Sequence, residues 1–212
     1  MLEWLTVEVG KSLLVKRLLD VVCAILGLLI TIPFLLPIVL ILKAFSGSVF
    51  FKQLRVGCCE KRFNILKFTT MFVGSEQHGT VTTKDDPRIT PIGRFLRKYK
   101  INELPQLINV LKGEMSFVGP RPLPLNEVLL FSDQDREIIF RVKPGITGIT
   151  ALNFINEDIL LSKYSNPQEH YKKVVLPKKI ELERQYVENW NLISDIKIFW
   201  LTIFKLIKLV LK

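Results

Sequence analysis

From Val21 to Leu42 the chain reads VVCAILGLLITIPFLLPIVLIL, without one charged side chain. At ~1.5 Å per residue a helix of about 22 residues is ~33 Å long, enough to cross the hydrocarbon of a bilayer. The run is too long for a signal peptide, and no small-residue cleavage site follows it. Two features oppose simple crossing. Basic residues flank both ends, Lys11, Lys16 and Arg17 before, then Lys43, Lys52, Arg55, Lys61, Arg62 and Lys67 after. A crossing helix keeps its positive flank on one side only. Pro33 and Pro37 also sit mid-run, where each removes a backbone donor and crowds the preceding turn. A helix that enters, breaks at Pro33 and returns to the same face meets both conditions, and Thr31 could offer its hydroxyl to a carbonyl freed there.

The last segment, NLISDIKIFWLTIFKLIKLVLK, is apolar in a different way. At about 100° per residue Lys197, Lys205, Lys208 and Lys212 fall within about 80° of one another, and the remaining arc is Ile, Leu, Phe and Trp200. This pattern predicts an interfacial helix with lysines toward lipid headgroups; a core helix with a solvated lysine stripe is the plainer alternative. Asp195 lies opposite the lysines and needs a partner, which could be in an active site. The formal charge of +10 suits nucleic acid, phosphorylated substrates or an anionic membrane. No glycine-arginine tract or zinc-finger spacing favours nucleic acid. The basic clusters adjoin the apolar segments, so anionic phospholipids are the expected partner. Cys58 and Cys59 are adjacent and Cys23 lies in the apolar run, a usage that fits a reducing cytoplasm. His78 and His170 are isolated and read as surface residues.

Between the apolar ends the sequence predicts a small β-hairpin from VFFKQ and RFNILKF, joined by LRVGCCEK. GSEQHGTVTTKDDPRIT reads as a polar loop. Thr90 before Pro91 is a helix start, leading into PIGRFLRKYK. A second helix, ELPQLINVLKG, is expected to bury Leu104, Leu107, Ile108 and Leu111 and to stop at Gly113. GPRPLP forms a rigid turn holding Arg121, and KPGITG a second fixed turn. The stretch from Phe154 to Asn189 reads as two helices with breaks at NP and LP. Asn102 is a good N-cap for the ELPQL helix, and Glu103 suits its first turn. The same pair lies within about twenty residues of Arg94, Arg97, Lys98, Lys100 and Arg121, the company in which a diphosphate and a divalent cation are held.

Taken together, these motifs resemble those of the bacterial sugar transferases of the monotopic phosphoglycosyl transferase superfamily. The resemblance rests on the proline-containing membrane helix, KFTTM at 67–71, DPRIT at 86–90, GRFLRK at 93–98, NELPQLINVLKGEMSFVGPRP at 102–122, PGITG at 144–148 and SDIKI at 194–198. It covers residues 11–207, nearly the whole chain. It implies transfer of a sugar-1-phosphate from a nucleotide diphosphosugar, UDP-linked by the resemblance, to polyprenyl phosphate. In that family an aspartate attacks the β-phosphorus, and the lipid phosphate then attacks the phosphosugar-aspartyl enzyme. Carried onto this chain, Glu103 helps hold Mg²⁺, while Lys67, Arg88, Arg94, Arg97, Arg121 and Asp195 contact phosphate or substrate. The site would lie on the cytoplasmic face of the inner membrane.

Three positions depart from the family pattern. Asn102 stands at the nucleophile position, Thr69 replaces the Arg of KFRTM, and Ile32 stands where a Ser is expected before the membrane proline. An amide is no nucleophile toward phosphorus, so Asn102 reads as an isosteric inactivation of a working enzyme. The alternative is a catalytically dead membrane scaffold that binds nucleotide sugars or a biosynthetic partner. The expected fold is α+β and mostly helical: a re-entrant helix over 1–46, a catalytic domain at the membrane surface over 47–190, and an amphipathic helix over 191–212. Asn153, Asn156 and Glu157 could line a sugar pocket or belong to a solvated loop. The sequence fixes neither the sugar nor the oligomeric state; a homodimer is one option.

Overall fold

The computed structural model describes residues 2–72, 74–75, 82–83 and 86–210, with backbone alone at 2–11, 46 and 209–210. It is mostly helical, with a two-stranded antiparallel sheet, a short parallel strand pair and one long apolar N-terminal helix. That helix, α1, spans Leu2–Ser46 and contains a 34-residue segment long and apolar enough to cross a membrane. It is not broken at Pro33: helical structure runs through both prolines. Thr31 donates its hydroxyl to the Gly27 carbonyl at 2.6 Å, not to the Leu29 carbonyl that Pro33 leaves unpaired.

Packing explains the continuity. Before Pro33, Ala24 and Leu28 pack on Phe63, Leu107, Val110 and Met115. Beyond it, Leu35, Ile38, Val39 and Leu42 pack on Phe68, Ile92 and Leu96. Arg17 caps the carbonyls of Val110 and Leu111 at 2.7 and 3.1 Å, and Asp20 accepts from the Phe117 amide at 2.9 Å. Residues 17, 20, 24, 28, 35, 38 and 42 share one stripe at helical spacing. The prolines lie opposite it, with exposed Leu26, Leu29, Ile30 and Leu40. Contacts on both halves thus offset the ~3 kcal/mol that an interior proline costs.

The hairpin forms as expected, β1 (Phe50–Val56) with β2 (Arg62–Phe68), in the register Phe51↔Lys67 and Arg55↔Phe63. Helix α2 (Pro91–Lys98) begins with Thr90 Oγ1 accepting from the Gly93 amide at 3.0 Å. Helix α3 (Gln106–Lys112) ends at Gly113, whose φ of 82° favours glycine. It buries Leu107 and Val110, and also Asn109, while Leu104, Ile108 and Leu111 are half-buried. Asn109 stands in for a third strand at the edge of β2: its Oδ1 accepts from Leu66 N at 3.0 Å and its Nδ2 donates to Asn64 O at 2.8 Å.

The PGITG segment is more than a turn. Its Gly145–Thr147 forms β4, parallel to β3 (Ser116–Val118). A Cβ at Gly145 would lie 2.2 Å from Gly119 N, so the approach of the two loops requires glycine there. Short helices α4 (Leu125–Val128), α5 (Asp133–Ile139), α6 (Ile149–Asn153), α7 (Glu157–Leu161) and α8 (Pro167–His170) follow. A π-helical turn over Tyr171–Val175 leads into α9 (Leu176–Glu188), so LP opens that helix and breaks nothing. The last helix, α10 (Leu192–Val210), turns Asp195 and Ile198 inward and leaves Ile193, Ile196, Trp200, Phe204 and Ile207 exposed. Lys197 and Lys208 are on its surface, whereas Lys205 donates to the Leu152 carbonyl at 2.6 Å. Lys212, His78 and most of the polar loop at 76–85 lie outside the described residues.

Candidate functional site

The Asn102-Glu103 pair sits in a 3-10 turn, Ile101–Glu103, entered through Lys100 with a left-handed φ of 57°. Asn102 is not the cap of α3. The turn and Pro105 intervene, and α3 starts at Gln106 without a side-chain cap. Asn102 is buried, and its Oδ1 has no hydrogen-bond partner among the described residues. The turn therefore carries an orphaned, buried side-chain oxygen on the residue before Glu103, and Asn102 itself is not part of the lining of the cleft that holds Glu103.

Glu103 lies in a cleft of about 230 Å³ whose other polar lining is Arg55, Lys67, Gln106 and Arg121. Lys67 reaches it from β2, Nζ to Oε1 at 3.2 Å. The two side chains keep 18% and 16% of their surface, so the cleft is deep yet wet, and solvent screens the pair. Burial acts to raise the Glu103 carboxyl, but Lys67, Arg121 and Lys100 override it and hold it well below the usual carboxylate range. Burial, with Arg121 and Arg55, pushes Lys67 down to about 8 against the pull of Glu103. Arg121 is an exposed residue of the GPRP turn, whose backbone amide donates to Glu183 Oε1 at 3.0 Å. Partial desolvation in the cleft works against its charge, but Glu103, Glu157, Tyr171 and Glu127 raise it above the ordinary guanidinium value.

Of the cations expected at the site, Lys67 and Arg121 line the cleft with Glu103. Arg97 binds Thr70 Oγ1 through Nε at 2.8 Å and lies near enough to Glu103 to feel its charge. Arg88 instead makes a bidentate pair with Asp86, and Arg94 is exposed on α2; neither lines the cleft. Asp195 is elsewhere. It pairs with Lys16 of α1 and accepts from Tyr186 OH at 2.5 Å and Trp190 Nε1 at 3.0 Å, so the partner its position demanded is on the long apolar helix α1. Thr69 Oγ1 is buried without a partner among the described residues. Asn153 and Asn156 are exposed, while Glu157 pairs with Lys179.

In the sequence Arg55 reads as one of the basic residues that follow the long apolar run. One signal pointed inward: in β1 the residues 51, 53 and 55 share the more buried parity, and an arginine there needs a partner. Beyond Arg121 a second recess, about 320 Å³, lies among Phe131, Ile139, Phe140, Lys179 and Glu183. Glu183 Oε1 also accepts from Thr150 Oγ1, its Oε2 is buried without a partner among the described residues, and burial pushes its carboxyl up to about 7.

No three His, Cys, Asp or Glu side chains converge as a metal cage among the described residues. Mg²⁺ does not need one, because it keeps several waters and binds through one or two protein oxygens plus substrate phosphates. The Glu103 carboxylate and the orphaned Asn102 Oδ1, on consecutive residues, are hard oxygen donors that fit an ion arriving with a diphosphate.

The pattern that defines the bacterial sugar transferases matches residues 11–209. Similar proteins include the UDP-glucose:undecaprenyl-phosphate glucose-1-phosphate transferase of Escherichia coli K12, 38% identical over 92% of this chain and 41% of that protein. The uncharacterized sugar transferase EpsL of Bacillus subtilis 168 is 38% identical over 92% of this chain and 88% of its own length. The galactosyl transferase CpsE of Streptococcus agalactiae is 38% identical over 91% of this chain and 42% of its own. The chain thus spans less than half the length of two of these relatives and most of the third.

Proposed function

The chain belongs to the bacterial sugar transferase family, and we propose that its cleft binds a nucleotide diphosphosugar for transfer of sugar-1-phosphate to a polyprenyl phosphate, with the transfer silenced by Asn102. The observation that carries this reading is an ionised Glu103 in a cleft lined by Lys67 and Arg121, preceded in the chain by a buried Asn102 whose Oδ1 has no partner among the described residues. With Asp at position 102, a carboxylate oxygen would form the new bond to the β-phosphorus. The bond from that phosphorus to the bridging oxygen would break, and nucleoside monophosphate would leave. The lipid phosphate would then displace the aspartate and carry the sugar phosphate away.

Each residue has a defined part in this reading. Arg121 and Lys67 orient the diphosphate and offset charge at phosphorus. Glu103 and the position 102 oxygen would hold Mg²⁺, which supplies further charge neutralisation when bound. Asn102 keeps the shape and one oxygen of an aspartate but neither the charge nor the nucleophilicity. We place the site at the cytoplasmic face of the inner membrane with α1 monotopic. Contacts of the domain with α1 on both sides of Pro33 support that topology, since a crossing helix would meet the domain with one half alone.

The test is intact-protein mass spectrometry of the protein and its Asn102→Asp variant after incubation with Mg²⁺ and UDP-sugars, without lipid. The expected result is a phosphosugar adduct on the variant alone. Loss of a nucleophile costs ~10⁴–10⁶ in rate, so the Asn102 form should stay at background. An adduct on the Asn102 form would place the nucleophile elsewhere. Binding without an adduct on either form would favour the dead scaffold, a reading that the orphaned Thr69 hydroxyl keeps open, because an arginine is expected there.

A further inference from the structure

Arg55 is the cleft cation to which the proposed chemistry gives no part. It enters from the inward face of β1, donating through Nη1 to the Pro122 carbonyl at 3.2 Å and through Nη2 to Gln53 Oε1 at 2.5 Å. Its Nε is buried and has no partner among the described residues, and so is Nε2 of Gln106 in the same cleft. A guanidinium carries five N–H donors, so these two bonds leave most of its capacity unused. Arg55, Lys67 and Arg121 face one lining carboxylate, Glu103. The lining is therefore net cationic, which suits a diphosphate, while Glu127 acts on both arginines from outside it.

We propose that Arg55 is a second diphosphate-binding residue, closing with Arg121 on the two phosphate groups of the donor. The inference rests on the functional reading above and deepens it. Two guanidiniums and an ammonium crowded into one cleft repel one another until an anion arrives. Burial and the neighbouring Arg121 lower Arg55 to about 10, and the same two arginines help to lower Lys67. Arg55 also ties β1 to the GPRP turn through Pro122, so the clamp joins the two segments that carry its arms.

A purely structural role, stapling the Pro122 turn, makes a different forecast. Full-length protein in detergent is titrated calorimetrically with UDP-glucose, inorganic pyrophosphate and UMP, for wild type, Arg55→Met and Arg55→Lys. The clamp predicts a loss of about tenfold or more for the two diphosphate ligands in Arg55→Met, a smaller loss in Arg55→Lys, and little change for UMP, whose single phosphate Arg121 serves. Equal losses for UMP and pyrophosphate would overturn the clamp in favour of the staple. Arg55→Lys keeps the cation and guards against an Arg55→Met variant that fails to fold. If wild type binds neither UDP-glucose nor pyrophosphate, the functional reading fails and the clamp with it. If it binds both and the Arg55 variants bind equally well, the clamp alone fails.

Discussion

Replacing Asp195 by Ala tests what ties the two apolar helices to the domain. The carboxylate has 7% of its side-chain surface exposed, and its partner Lys16 has 14%. Removing one member of a buried pair costs ~3–5 kcal/mol, because the other charge is stranded. Tyr186 OH and Trp190 Nε1 lose their acceptor as well, but Lys16 keeps its bond to the Val118 carbonyl at 2.9 Å, so the middle of that range, about 4 kcal/mol, is expected. Asp195→Asn retains an acceptor oxygen and should cost about half as much. Lys16→Met combined with Asp195→Leu should recover most of the loss, since both charges leave together. Urea unfolding at fixed detergent, followed by tryptophan fluorescence, measures all of these. A cost below about 1 kcal/mol for Asp195→Ala, or simple additivity in the double variant, would refute the buried pair. UDP-glucose affinity should be unchanged in Asp195→Asn, whereas a tenfold loss would return Asp195 to the substrate site.

Three further outcomes follow from named groups. Glu183 keeps a proton in the folded state up to about pH 7, whereas the unfolded chain releases it near 4.5. Its contribution to stability therefore falls as pH rises across that window and levels off above it, by at most ~3 kcal/mol; unfolding at pH 5 and pH 8 should show this slope reduced in Glu183→Gln, and parallel profiles would refute it. Cysteines at positions 12 and 48, in a Cys58→Ser, Cys59→Ser background, should both resist an impermeant maleimide in intact cells and both react in inverted vesicles; external labelling of one alone would establish a crossing helix. Thr90→Ala should cost ~1 kcal/mol of unfolding free energy through the lost bond to Gly93 N.

Local signals in the sequence were reliable where local physics decided the outcome. The hairpin, the Thr90 cap and the stop at Gly113 each depend on a few adjacent residues, and each formed. Pro33 misled because local chemistry weakens a helix that tertiary contacts then hold, Ala24 and Leu28 on one side and Leu35 to Leu42 on the other. PGITG read as a turn because its partner strand, Ser116–Val118, is about thirty residues away and no periodicity announces so short a parallel pair. At the site, spacing pointed to Glu103 and Arg121 and the family resemblance added Lys67, and these three share one cleft; Arg88 instead pairs with Asp86, and Asp195 with Lys16. Arg55 was hidden because thirty Lys and Arg make any single basic residue look like surface charge.

The arrangement of β2 and α3 bears on the proposed function, in which a polar cleft would serve a substrate anchored in lipid. In β2, successive side chains point to opposite faces. Lys67 meets Glu103 in the cleft, while the next residue, Phe68, packs with Leu42 of α1. In α3, Gln106 lines the cleft, and Leu107 beside it packs in the cluster that contains Ala24. Gly27 permits that approach: a Cβ there would meet Leu107 Cδ1 at 3.2 Å. The cleft floor is therefore one strand or one helix thick, with α1 immediately beneath it. Under the proposed function, a polyprenyl chain could lie along the exposed apolar face of α1 and still bring its phosphate to Arg121, without leaving the membrane surface. The unbroken helix serves this purpose better than a distant anchor would, because the same packing that carries it through Pro33 also fixes the height of Lys67 and Glu103 above it.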